Sequence, residues 1–97
     1  MVTIGMNYRV IAGKEQQFEG ACNRVLALMG EADGHHGSQI FRRIDGGDDP
    51  EYLIVSRWTD ESAFRSFIAS DAFRKVTNWG KEHILSARPS HTTYRED

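Results

Sequence analysis

Residues Tyr52 to Trp58 read as a strand with apolar side chains on both of its sides. Leu53 and Val55 fall on one side; Tyr52, Ile54 and Trp58 fall on the other. A strand of that kind has to be covered twice. A chain of 97 residues forms one modest core. The remaining periodicities supply enough helix to cover a single face. Whatever the rest of the chain folds into, a second face of the sheet is left needing a partner.

The order of the other elements follows from their periods. Residues 2–10 alternate, with Val2, Ile4, Met6, Tyr8 and Val10 on one side and Thr3, Gly5, Asn7 and Arg9 on the other, which is a strand. Gly13 and Glu15 mark a helix start. Phe18, Ala21, Cys22, Val25, Leu26 and Met29 then follow at helical spacing, so residues 14–32 form an amphipathic helix stopped by Asp33-Gly34. Residues 38–44 form a second strand. The Asp45-Gly46-Gly47-Asp48-Asp49-Pro50 turn joins it to the third. Thr59 or Asp60 caps a helix striped by Ala63, Phe64, Phe67 and Ile68. That helix breaks at Ser70-Asp71, resumes with Phe73 and Val76, and stops at Gly80. Residues 91–95 form a last strand.

The resulting β-α-β-β-α-β order predicts a single α+β domain over residues 1–97. It is a ferredoxin-like sandwich with a four-stranded antiparallel sheet and both helical segments on one face. The economical cover for the other face is a second copy, giving a homodimer through the sheet face. Twelve Lys and Arg against fourteen Asp and Glu leave a net charge of -2, which gives no footprint for nucleic acid and no bias toward anionic membranes. No apolar run approaches a membrane span, and nothing at the N-terminus resembles a secretion signal, so the expected location is cytoplasmic. Cys22 is the sole cysteine. It lies on the apolar stripe of the first helix and reads as a small core residue rather than a nucleophile.

Trp58-Thr59-Asp60-Glu61-Ser62-Ala63-Phe64, then Phe67, then Ser70-Asp71-Ala72-Phe73 resembles the antibiotic biosynthesis monooxygenase domain. The opening strand, the Gly13-Lys14-Glu15 turn and Phe18 are similar to it as well, so the resemblance spans roughly residues 2–95. It implies a dimeric α+β barrel. It also implies cofactor-independent oxygenation of a bulky aromatic or quinol-like substrate, or haem binding or degradation; the rival expectation, from the residues themselves, is a non-catalytic dimeric module that binds a small ligand or haem.

The resemblance places Asn7 where haem-degrading members carry an Asn in the first strand. Their Trp and His positions are occupied here by Phe67 and Thr77. Threonine is a poor replacement for an imidazole on iron, so the expected cofactor is none, with haem kept as the alternative. The cavity is expected between the sheet and the helices. Asn7 would orient oxygen there, and Phe67, Thr77 and Trp79 would contact the substrate. His83 would serve as the base, because a phenolic substrate must lose its proton before it can reduce dioxygen. His35, His36 and His91 have no metal-ligand spacing, and no metal is expected. Arg42, Arg43 and Arg57 could steer an anion or sit in salt bridges, and the Asp45 to Asp49 loop reads as a solvated turn.

Overall fold

The structure, a computed structural model, describes residues 1–78 and 83–96. The elements run β1 (Val2–Arg9), α1 (Glu15–Glu31), β2 (His35–Arg42), β3 (Glu51–Trp58), α2 (Glu61–Ile68), α3 (Asp71–Val76) and β4 (Ser90–Arg95). The four strands form one antiparallel sheet in the order β2-β3-β1-β4. This is the ferredoxin-like α+β arrangement that the periodicities predict.

Alternation along the strands sorts the side chains onto two faces. Ile4, Met6 and Tyr8 of β1 lie beside Ile54, Ser56 and Tyr52 of β3, all buried under the helices. Phe18, Ala21, Cys22, Val25 and Met29 close the core from α1, and Phe64 and Phe67 close it from α2. Burial raises the Cys22 thiol to about 12, with the neighbouring Glu19 charge adding to it, so the thiol stays protonated and inert.

Trp58 is the hub of the far end. It is fully buried, and its ring lies 5.8 Å from Phe64, 5.5 Å from Phe67 and 5.1 Å from His35. Its indole N–H donates to the buried Ser56 hydroxyl at 2.9 Å, which explains a serine in mid-core.

The caps fall where the sequence puts them. The Asp60 carboxylate accepts from the Ala63 amide at 2.9 Å, and the Ser70 hydroxyl accepts from the Phe73 amide at 3.2 Å. Ser70 is therefore the break between α2 and α3. The predicted stop at Gly80 lies outside the described residues.

One boundary differs. β2 runs over His35–Arg42 rather than over residues 38–44. An irregularity between His35 and Gly37, with Gly37 at φ 153°, lets the strand begin earlier and still pair with Trp58.

The turn before β2 is held by Gly34, which has φ 85° and whose carbonyl accepts from the Thr59 amide at 2.8 Å. A Cβ placed there would lie 2.7 Å from the Ala63 Cβ. Gly34→Ala is therefore expected to cost about 2–3 kcal/mol, from backbone strain and the clash together, as read by denaturant unfolding.

His35 makes stability depend on pH. Burial holds its imidazole below the ordinary value of 6.5, the His36 charge pushes the same way, and a backbone hydrogen bond at Gly37 opposes both. Its Nε2 is buried and has no partner among the described residues. The unfolded chain therefore takes up the proton first. Stability from this site is complete above about pH 6.5 and falls as pH drops from there through the lower folded value. Chemical unfolding from pH 8 to 5 should show that loss, and His35→Phe should flatten it.

Candidate functional site

Between the helices and the β1–β4 side of the sheet lies a cleft of about 200 Å³. Met6, Tyr8 and Phe64 form its buried floor, Ile68, Phe73 and Thr77 its walls, and Pro89, Ser90 and His91 its exposed mouth. Most of that lining is apolar or aromatic, as suits a flat hydrophobic ligand. His91 enters because it pairs with Met6 across β1 and β4, which sets its side chain on the helix side. Its ring lies edge-on to Phe64, with centroids 5.4 Å apart. The Tyr8 hydroxyl points to the Met6 sulfur at 3.4 Å. Burial, and secondarily Cys22, raises the Tyr8 phenol well above its usual range, so it remains a neutral donor. The Thr77 hydroxyl donates to the Phe73 carbonyl at 2.7 Å, which leaves its oxygen able to accept.

The residues expected from the sequence do not all meet here. Thr77 does line the cleft. Asn7 does not: it is exposed on the face away from the helices, directly between Leu53 and Ser90. Alternation forces this, because Asn7 is flanked by Met6 and Tyr8, which both point inward. Phe67 is only 7% exposed and is packed against Trp58 and Phe73, so it belongs to the core. It also floors a separate groove of about 640 Å³ between α1 and α2, with Leu28, Ala32, Ala63 and Ala72 among the walls. His83 is exposed, has φ 53° and is not among the residues that line the cleft. Trp79 lies outside the described residues. His91 and Tyr8 are the groups that sequence reasoning missed. The signal for His91 is its pairing with Met6, which only the strand register reveals.

A haem does not fit this cleft. Its volume falls below the ~300–1,000 Å³ of sites for drug-sized ligands, and a porphyrin is larger than the smallest of these. Phe67 is committed to the core, and the Thr77 proton is committed to a backbone carbonyl. Among the described residues, no cluster of three His, Cys, Asp or Glu could hold a metal ion.

A four-stranded antiparallel sheet with helices on one face, and a small apolar cleft between the two layers, defines an α+β domain of the ferredoxin-like type. The family model for antibiotic biosynthesis monooxygenase matches residues 1–79, and the chain belongs to that family. A proposed heme-binding protein of Natronomonas pharaonis is 34% identical over 89 residues, which are 92% of this chain and 14% of that protein. A similarly described protein of Haloquadratum walsbyi is 30% identical over 92% of this chain and 16% of its own length. The chain thus spans about one-seventh of these relatives, whose description belongs to the whole proteins. Among solved structures, a mutant of SnoaB, a cofactor-independent oxygenase from Streptomyces nogalater, superposes with a TM-score of 0.80 at 22% identity, covering 98% of this chain and 91% of SnoaB. At that identity the likeness establishes the fold.

Proposed function

We propose that the chain is a cofactor-independent monooxygenase that oxidises a phenol or hydroquinone of one or two rings, or a three-ring anthrone bound edge-first, in the cleft between helices and sheet. The observation that carries this reading is His91, an imidazole at the mouth of a cleft otherwise lined mainly by Met6, Tyr8, Phe64, Ile68, Phe73 and Pro89. His91 takes the acidic proton of the substrate. The anion then gives an electron to dioxygen, a step the neutral molecule performs poorly. Recombination at the activated ring carbon and loss of water convert the C–H of a phenol, or the CH2 of an anthrone, to C=O, so that a phenol leaves as a quinone. One oxygen atom enters the product, the other leaves as water, and all four electrons come from the substrate. The Thr77 oxygen on the cleft wall can accept from the hydroxyl of the neutral substrate as it enters. The name of the SnoaB oxygenase agrees with this chemistry.

We further propose that two copies associate through the open sheet face, as the paired apolar Leu53 and Val55 suggest. The test of function is oxygen uptake, measured with an electrode, against a graded series of one-, two- and three-ring hydroquinones and anthrones. Uptake above buffer that is largest for the smaller members supports the reading. No uptake across the series overturns it and leaves a ligand-binding module.

A further inference from the structure

The groove of about 640 Å³ between α1 and α2 is lined wholly by α1, α2, α3 and the turns that join them to the sheet. Two copies paired through their open sheet faces therefore leave it in solvent. It shares no lining residue with the cleft of the oxygenase reading and is independent of it. Phe67, Leu28, Ala32, Ala63 and Ala72 give it an apolar floor and walls. Its volume falls within the ~300–1,000 Å³ of sites that take drug-sized molecules.

Charge selects the occupant. Glu31, Asp33 and Asp60 stand in the lining, and no Lys, Arg or His is among the described residues there. Asp60 is committed: its carboxylate caps α2 by accepting from the Ala63 amide at 2.9 Å, where the helix N-terminus balances its charge. Glu31 and Asp33 are exposed, and neither is in an ion pair among the described residues. They stand at the C-terminus of α1, whose last turn holds no basic residue. The last carbonyls of a helix carry partial negative charge, which a cation ordinarily answers. Here two carboxylates add to it instead.

We propose that this groove binds an organic ammonium ion with a flat apolar body, the body against Phe67 and Leu28 and the ammonium beside Glu31 and Asp33. An inorganic cation is a poorer match. Among the described residues no three His, Cys, Asp or Glu come together to hold one, and it would leave the apolar floor uncovered. An anion would meet three carboxylates and the negative end of a helix. A neutral molecule would cover the floor and leave the charge unanswered.

The test uses 1-naphthylmethylammonium, with 1-naphthylmethanol and 1-naphthylacetate as its neutral and anionic isosteres, followed by two-dimensional NMR of the 15N-labelled protein. The ammonium should move the Ala32, Gly34 and Ala63 amide signals in a saturable way that weakens with added salt. The alcohol should bind several-fold more weakly, and the acetate should leave these signals in place. Replacing both carboxylates, Glu31→Gln with Asp33→Ser, should weaken the ammonium by about fivefold, as two exposed charge pairs allow, and leave the alcohol unchanged. Ser66→Phe, an exposed substitution in the lining, should fill the groove and weaken the ammonium by about tenfold or more, with signals remote from the groove unmoved. Four results would each overturn the proposal: no saturable shift, equal affinity for all three probes, unaltered ammonium affinity in either variant, or shifts confined to Thr77 and His91. The last would put the probe in the cleft between helices and sheet.

Discussion

His91→Gln should lower substrate-dependent oxygen uptake by about 10²–10⁴-fold, the range that a positioned general base contributes. Glutamine keeps the size and some hydrogen bonding of the imidazole but cannot hold a proton at neutral pH. The rate lost should therefore return as pH is raised toward the acidity of the substrate itself, where hydroxide does the work. His91 is exposed and, among the described residues, makes one ring contact, with Phe64, so the unfolding midpoint should barely move. A variant that folds and binds yet fails to turn over is what distinguishes a base from a wall of the cleft. His83→Gln is the companion measurement. It should retain the rate, because His83 is not part of the cleft lining. If His83→Gln abolishes uptake and His91→Gln does not, the base is His83 and the present assignment falls.

That contrast shows where the sequence was informative. The strands β1 and β3 and the helices α1 and α2 are visible as periods, because burial of one face imposes them locally. The breaks are visible too, since Ser70 and Asp60 cap with their own side chains. The site is a different matter. The alternation of β1 by itself sets Asn7 opposite Ile4, Met6 and Tyr8, whereas the resemblance sets it in the cleft. The alternation prevails, because flipping Asn7 inward would turn Met6 and Tyr8 outward with it. His91 carries no local signal. Its neighbours Thr92, Thr93 and Tyr94 form a short, exposed edge strand in which either side could face the helices. Only the pairing of Met6 with His91 decides which. Phe67 has the right chemistry for a cleft wall, but its distance from Trp58 and Phe73 makes it core, and a helical stripe cannot separate those two uses.

The largest structural effect should come from the face that no helix covers. Replacing both Leu53 and Val55 with glutamate is expected to raise the dissociation constant of the dimer by at least ~10³-fold while the monomer stays folded. Both residues are half-buried in the single chain. Around them stand Phe41, 48% exposed, and Tyr94, 58% exposed, which marks an apolar strip rather than scattered surface residues. Gly5 keeps the strip continuous. A Cβ at that position would only just touch Leu53 and Tyr94, at 3.6 and 3.7 Å, so the two side chains flank the bare backbone between them. The strip ends in charge on both sides, at the Arg57–Glu96 pair of 3.0 Å and at the Arg9–Glu51–Arg43 cluster. A glutamate in the open monomer remains in water and costs little. In a two-fold interface each substitution occurs twice, and every carboxylate is buried against apolar atoms without a partner, at several kcal/mol apiece. The same substitutions therefore separate folding from association. Circular dichroism should be unchanged while sedimentation shows half the mass. If the wild-type chain sediments as a monomer, or the double variant keeps the dimer, the covering layer is not this face of a second copy. The apolar groups on the outer side of β3 would then have to meet a different surface.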